Sequence, residues 1–328
     1  KYHNNNGYLI NGWQSEDQHY REVKSGTPNI YHSMEKHWES WHVGKQHFFT
    51  QDKIDTDPLS ETKWITLPTY KQWVKEQGEK GPGGREFTAM APELISGKYT
   101  DTKRYITPEY AEYKPGLKYF EDEFFAEKAV DIIKRKSGNR PLLLNVMFMS
   151  PHPPFNVPEP YYSKFKTQDL TIPDNVGKWF SGQSPLQLYN LTGFIGTRYS
   201  RSEWEQIWTK YFGLVSLMDD EVGKILDALK QKGIYDKALI IFTADHGEML
   251  GSHSLWQKMC MYEESAHVPL VIKFPRDFHP VLKETDQMAS LIDVWPTLMD
   301  YLKISSPDKP DGISLIPLLQ GKTLNRNR

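Results

Sequence analysis

Residues 238–242, an apolar run, are followed at once by a segment rich in ionisable side chains, residues 243–258. The run has the length and apolarity of a buried β-strand. The polar segment after it brings carboxylate, imidazole and ammonium groups together, which are the groups that hold metal ions and stabilise anions. Ligands of open α/β sheets bind beyond the carboxyl ends of the strands. The sequence therefore predicts a sheet with a ligand site at this edge.

Strand and helix patterns alternate from residue 120 to 302. A helical pattern follows Phe120, residues 142–149 form a second apolar run, and a capping box at Ser202 is predicted to open the longest helix. This alternation is typical of a sheet covered by helices on both faces. We predict an α/β fold with a mixed, largely parallel sheet that is incomplete in this chain. Residues 50–118 mix Pro, Gly and charge irregularly, which predicts a long cleft-forming excursion with little regular structure.

Composition excludes several classes of protein. The chain has 328 residues, of which 38% are hydrophobic and 25% charged, as in globular proteins. Its net charge of -2 does not suggest a nucleic-acid-binding surface. No apolar run is long enough to span a membrane. Since Cys260 is the only cysteine, an internal disulfide and a multi-cysteine metal site are excluded.

Three strand-end or loop segments contribute candidate catalytic side chains. These are Lys45 with His47, His152 in a proline-rich loop, and the segment 245–258. Together they suit transfer of a tetrahedral oxyanion, in which a cation and lysines neutralise the oxygens and a histidine protonates the departing alkoxide. A glycine-rich phosphate loop and a Gly-x-Ser-x-Gly elbow are both absent from the sequence. Each side chain alone has a structural explanation, such as helix capping, loop order or aromatic packing, so the prediction depends on their meeting at one rim.

Four segments, taken in order, resemble the formylglycine-dependent sulfatases of the alkaline phosphatase superfamily. Each matches a motif of that family: Gly44-Lys45-Gln46-His47, Ser150-Pro151-His152-Pro153-Pro154-Phe155, the block from Asp245-His246-Gly247 to Lys258 that continues to Val268-Pro269-Leu270, and Asp311-Gly312-Ile313-Ser314-Leu315. The resemblance covers nearly the whole chain. It implies the alkaline phosphatase-like fold and hydrolysis of sulfate esters.

The resemblance assigns a metal and two anion contacts. It implies that Asp245 and His246 are metal ligands and that Lys45 and Lys258 contact sulfate oxygens. The metal of the family is usually Ca²⁺. Because many members have asparagine where this chain has His246, and nitrogen is a poor calcium ligand, another divalent cation is also possible.

The resemblance also assigns roles to three histidines. It implies that His152 lies at the leaving-group oxygen and acts as its acid, and that His47 assists turnover of the sulfated nucleophile. It further implies that His253 is near the substrate and contributes to its binding.

One part of the family pattern has no counterpart in this chain. The family's nucleophile is a formylglycine made within a Cys/Ser-x-Pro-x-Arg motif, and this motif and the first two metal-binding aspartates are absent. Residues 1–7 resemble the segment that follows the nucleophile helix. We therefore expect residues 1–328 to be the main sulfatase domain truncated at both ends, without its nucleophile segment and its C-terminal subdomain. On this view the chain alone is inactive and requires that segment as a partner.

Other functions remain open at this stage. One alternative is a phosphodiester or phosphonate monoester hydrolase of the same superfamily, and another is a non-catalytic carbohydrate-binding relative. The preferred substrate is a sulfated poly- or oligosaccharide, on which aromatic rings can stack, with candidates Trp64, Trp73, Trp179 and Tyr189. The resemblance implies a periplasmic or secreted protein.

Overall fold

The computed structural model describes residues 22–95, 98–189, 191–305 and 309–324. The segment 1–7 lies outside these ranges. The strands, in chain order, are β1 (Glu39–Gly44), β2 (Lys63–Thr66), β3 (Thr88–Ile95), β4 (Lys98–Ile106), β5 (Tyr110–Glu112), β6 (Leu142–Met147), β7 (Phe155–Val157), β8 (Ile240–Thr243) and β9 (Leu270–Lys273). The α-helices are α1 (Ile30–Met34), α2 (Leu67–Glu76), α3 (Glu121–Arg135), α4 (Leu191–Gly196), α5 (Arg201–Gln231), α6 (Glu263–Ala266), α7 (Val294–Leu302) and α8 (Ile316–Leu319).

A parallel sheet with the order β2-β1-β6 lies at the centre of the first core. Helices α2 and α3 pack against it, because both carry apolar residues at helical spacing. The buried side chains of this core are Val43, Tyr70, Val74, Phe124, Phe125 and Ile132. The predicted mixed α/β fold with a parallel sheet and helices is thus confirmed.

The long helix α5 organises a second core. Its side chains Trp204, Ile207 and Leu214 pack with Phe155 of β7 and with Trp256. The helix begins two residues earlier than predicted, since Ser200 rather than Ser202 is the N-cap. The Ser200 hydroxyl accepts the Glu203 N–H, and the Glu203 carboxylate accepts the Ser200 N–H, which completes a capping box.

Strands β8 and β9 pair antiparallel, in a two-stranded sheet separate from the central one. The prediction of a buried strand over residues 238–242 was wrong in its bounds and in its burial. The strand starts later, at Ile240, and Phe242 keeps 36% of its surface exposed. Opposite it, Val271 is 59% exposed. This face of the pair is therefore partly open to solvent, so apolarity overstated the burial.

Residues 50–118 contain more regular structure than the sequence predicted. Strand β2 joins the central sheet, α2 follows it directly, and β3 and β4 form an antiparallel pair. The expectation of little regular structure was wrong because β2 and α2 bury Tyr70 and Val74 in the first core. That this region shapes a cleft remains a prediction.

The Asp-Gly-x-Ser-Leu segment joins α7 to α8. A Cβ on Gly312 would lie 2.0 Å from the Ile292 carbonyl oxygen, and the Ser314 hydroxyl donates to Asp300 of α7. The contacts of this segment are structural. In the part of the chain that the structure describes, no helix combines the length and apolarity needed to cross a membrane.

Candidate active site

Loops that follow β1, β6 and β8 bring five of the predicted side chains together. The Lys45 Nζ lies 2.9 Å from the Asp245 Oδ2, and the Lys258 Nζ lies 2.9 Å from the His152 Nε2. The rings of His152 and His246 are 6.0 Å apart, which joins the two pairs. Because β1 and β6 are parallel neighbours, their carboxyl ends open at the same edge of the sheet. Lys45, His152, Asp245, His246 and Lys258 therefore form one rim.

A tight approach of two strands places Lys45. Gly44 has φ 112, and a Cβ there would lie 1.9 Å from the Met147 carbonyl oxygen, so only glycine fits. The next N–H, that of Lys45, donates to the same Met147 oxygen at 2.8 Å. Lys45 is only 5% exposed, and its ammonium contacts the half-exposed carboxylate of Asp245.

A buried carboxylate holds the loop that carries His152. Asp122, in the first turn of α3, accepts the N–H groups of Met149 at 2.7 Å and Ser150 at 2.8 Å. The His152 N–H then donates back to the Met149 carbonyl at 2.8 Å. Helix α3 thus fixes where this loop starts.

The tautomer of His152 follows from its partners. The Nδ1 lies 2.6 Å from the Pro153 carbonyl, which can only accept, so Nδ1 carries the proton and Nε2 accepts from Lys258. Burial lowers the pKa of His152 to about 3, and the Lys258 ammonium acts in the same direction. His152 is therefore neutral here and accepts from Lys258 at Nε2, and its role as the acid at the leaving group stays a prediction.

The segment that ends at Lys258 folds around a second buried carboxylate. The Glu248 Oε1 accepts the Gln257 N–H at 2.6 Å, and Met249 donates its N–H to the Gln257 carbonyl at 2.9 Å. Burial raises the pKa of Glu248 to about 7, and it lowers the pKa of Lys258, although the Glu248 charge partly offsets the latter shift. Lys258 makes no ion pair with any carboxylate among the described residues. An anion at this rim would supply the missing charge.

The Asp245 carboxylate and the His246 imidazole lie close enough together to be ligands of one metal ion. The His246 Nδ1 donates to the Gly247 carbonyl at 2.8 Å, so its Nε2 is a bare acceptor. This nitrogen lies 3.6 Å from the Asp245 Oδ1, and two tetrahedral ligands of one metal ion are about 3.4 Å apart. Burial raises the pKa of Asp245, but the Lys45 charge, His246 and the hydrogen bond from Lys45 together outweigh it, so the pKa lies below its usual range.

These two ligands do not form a metal site by themselves. Ca²⁺ takes six to eight oxygen ligands, and within the described ranges no group of three His, Cys, Asp or Glu side chains could hold an ion. The geometry of the pair fits a shared cation, but the remaining ligands would have to come from other residues.

The two other predicted histidines, His47 and His253, each stack on an aromatic ring outside this rim. Partial burial and the Lys45 charge lower the pKa of His47 to about 4, and its ring stacks on Phe49. His253 stacks on Tyr262 with ring centres 4.1 Å apart, and its Nε2 lies 3.7 Å from Glu264. His253 thus belongs to a neighbouring aromatic cluster and makes no direct contact with Lys258 or His152.

Three buried polar residues that hold the rim were not identified from the sequence. They are His42 beneath Lys45, Asp122 beneath the His152 loop, and Glu248 inside the Lys258 loop. Of the three, only His42 gave a signal in the sequence, because it is a polar residue between the apolar Trp41 and Val43.

The family model described as Sulfatase matches residues 25–304. The multifunctional alkaline phosphatase superfamily protein PehA of Trinickia caryophylli is 30% identical over 77% of this chain and 50% of its own length. The choline-sulfatase of Rhizobium meliloti is 31% identical over 92% of this chain and 58% of its own length. The phosphonate monoester hydrolase of Agrobacterium radiobacter has a TM-score of 0.70 and 25% identity, covering 94% of this chain and 64% of that structure. The chain thus spans about half the length of the curated relatives it matches, and over that span it belongs to the sulfatase family within the alkaline phosphatase superfamily.

Proposed function

We propose that this chain forms the anion-binding half of a sulfuric ester hydrolase. The observation that carries the proposal is the pair of ammonium groups at the rim, where Lys45 pairs with Asp245 and Lys258 hydrogen-bonds to the neutral imidazole of His152. A sulfate group placed between the two ammonium groups would complete the charge balance. Preorganised cations at the oxygens of a reacting tetrahedral group stabilise its transition state.

The proton for the leaving group is proposed to come from the Lys258–His152 pair. In the resting geometry the proton lies on Lys258 and the His152 Nε2 accepts a hydrogen bond from it. Negative charge developing on the departing oxygen would draw a proton from this pair. The proton would pass from Lys258 to the His152 Nε2 and from there to the oxygen, which leaves as an alcohol, while Lys258 becomes neutral. His47 is proposed to assist release of sulfate from the nucleophile, as the family resemblance implies.

The nucleophile and the rest of the metal shell are proposed to lie outside the described residues. By family resemblance the nucleophile is a formylglycine, and Asp245 with His246 would hold Ca²⁺ or another divalent cation together with further carboxylates. Such a cation would supply Lewis acidity at a sulfate oxygen when bound. On this proposal the chain needs a nucleophile segment for turnover, and the whole protein is periplasmic or secreted.

The proposed substrate class is a sulfated poly- or oligosaccharide. Trp179 is 36% and Phe180 44% exposed, and Phe180 lies beside the ring of His253. Exposed rings suit stacking on a sugar, and we propose that His253 contributes to the same subsite as Phe180. Trp64 and Trp73 do not support the proposal, because they pack on Tyr31 and Phe124 inside the protein. The side chain of Tyr189 lies outside the described residues.

Hydrolysis of phosphonate monoesters is the second candidate. Its support is the likeness to the Agrobacterium enzyme named as a phosphonate monoester hydrolase. A phosphonate monoester, like a sulfate monoester, carries one negative charge on a tetrahedral centre, so the lysine pair alone does not separate the two.

Rates on matched aryl esters test both candidates. The protein, produced with the residues encoded before Lys1, is assayed on an aryl sulfate and on the corresponding aryl phenylphosphonate. A kcat/KM at least about tenfold higher on the sulfate supports the sulfatase, and the reverse ratio supports the second candidate. Sulfate binding without turnover of either ester would favour a non-catalytic relative, and turnover by residues 1–328 alone would refute the need for a nucleophile segment.

A further inference from the structure

A chain of buried hydrogen bonds lies beneath Lys45. From it we propose that His42 is a positioning residue, which fixes the Lys45 backbone so that the ammonium faces an incoming anion. This inference rests on the proposed function of the rim. His42 itself is 2% exposed and lies behind Lys45, away from reacting atoms.

The direction of each hydrogen bond in this chain is determined by its ends. The His42 Nε2 lies 2.9 Å from the Lys45 carbonyl, which can only accept, so Nε2 carries the proton. The His42 Nδ1 must then accept, and the Tyr31 hydroxyl donates to it at 2.6 Å. The Asn145 amide donates to that same hydroxyl at 2.7 Å.

The central sheet sets the positions of His42, Asn145 and Trp64 relative to one another. His42 lies opposite Asn145 on β6 and opposite Trp64 on β2 in the parallel register. The ring of Trp64 packs on His42 at 4.7 Å and on Tyr31 at 4.8 Å. Because burial lowers the pKa of His42 to about 4, the neutral tautomer that this chain requires is kept at neutral pH.

Both peptide groups of Lys45 are therefore held. Its N–H donates to Met147, and its carbonyl accepts from His42, so the backbone is fixed on either side of the Cα. With its backbone fixed, the buried side chain extends toward Asp245. A lysine held in this way is preorganised for an anion, whereas a surface lysine must lose side-chain entropy on binding.

Two substitutions at one position separate positioning from simple core packing. His42→Gln keeps an amide N–H near the place of Nε2 and can donate to the Lys45 carbonyl. His42→Asn keeps a group near Nδ1 but is too short to reach that carbonyl. The measurements are the Kd for inorganic sulfate by calorimetry and kcat/KM on an aryl sulfate, both made on the protein with its upstream residues and at matched folded fraction.

We expect His42→Asn to raise the Kd for sulfate about tenfold or more, as for other residues that orient a ligating group, and His42→Gln to stay within about threefold of the wild type. Equal losses in both variants, or no loss in His42→Asn, would overturn the proposal. Tyr31→Phe provides a second test should His42→Asn not fold. It removes only the hydroxyl that fixes the tautomer, so a smaller loss in sulfate affinity is expected, and an unchanged Kd counts against the proposal.

Failure of the proposed function would be recognised separately. If the wild-type protein neither binds sulfate nor turns over an ester, the proposed function is wrong. The positioning role is then decided by crystal structures of the two His42 variants. A Lys45–Asp245 contact kept in His42→Gln and lost in His42→Asn supports it, and the same contact in both variants refutes it.

Discussion

The molecule contains two clusters of ionisable side chains with opposite imbalances of charge. At the rim, two lysines meet one carboxylate and neutral imidazoles. Between α3 and α5, a single ammonium serves two carboxylates, because the Lys224 Nζ lies 2.6 Å from Glu123 and 3.0 Å from Glu221. The rim therefore has an excess of positive charge and the helix cluster an excess of negative charge.

The two clusters relieve their excess differently. In the helix cluster, burial raises the pKa of Glu221 to about 8 and the neighbouring Glu123 adds to the shift, so the excess disappears when Glu221 holds a proton. At the rim, burial lowers the pKa of His152 and of His246, so neither imidazole adds positive charge, and the Lys258 ammonium has no carboxylate partner among the described residues. A cluster that neutralises itself is part of the structure, whereas one that needs an external anion is a candidate site.

Removal of one lysine from each cluster should have very different effects on activity. We expect Lys258→Met to lower kcat/KM on the preferred ester by about 10²–10³-fold, which is typical for loss of one preorganised group at the transition state. Lys224→Met is the matched control and should leave kcat/KM within about threefold. Steady-state kinetics on the protein with its upstream residues measures both. Comparable losses in the two variants would show that the rim has no special role.

The sequence predicted the chemistry of the rim better than its support. Lys45, His152, Asp245 and Lys258 were identified from strand-end or loop segments and from the family motifs, and the structure brings them together. The same logic failed for β8, since an apolar run specifies a strand but not what covers it.

The supporting residues could not be predicted for a physical reason. Asp122 and Met149 are far apart in sequence, and only the packing of α3 against the sheet brings them into contact. A buried aspartate in a first helical turn otherwise looks like an ordinary N-terminal charge. For His253 the motif predicted a place near the substrate; its ring stacks on Tyr262, and its contribution to binding stays a prediction.

The helix cluster should make stability depend on pH. The folded-state pKa of Glu221, about 8, lies above its ordinary value, so the folded protein holds a proton that the unfolded chain releases. The free energy of unfolding must then fall as pH rises from about 4.5 to about 8. Glu221→Gln removes this pH dependence. Between pH 5 and pH 8.5 we therefore expect its free energy of unfolding to rise by roughly 3 kcal/mol relative to that of the wild type.

Urea unfolding of both proteins at the two pH values measures this difference. Parallel pH profiles for wild type and Glu221→Gln would mean that Glu221 is charged in the folded state. The helix cluster would then keep its excess negative charge, and the proposed difference between the two clusters would be wrong.

The smallest expected effect concerns the carboxylate that supports the rim from α3. Asp122→Asn keeps one good acceptor for the N–H groups of Met149 and Ser150 and replaces the other by a donor, so one buried N–H loses its partner. Such a loss costs about 1–3 kcal/mol in the free energy of unfolding. Asp131→Asn, on the same helix and half-exposed in a surface ion pair, is the control and should cost at most about 0.5 kcal/mol. Because Asp122 holds the start of the His152 loop, we also expect Asp122→Asn to lower kcat more than it raises KM. A fall in stability with unchanged kcat would place Asp122 with the helix cluster, as structure only, and would confine the functional rim to the side chains that meet the anion.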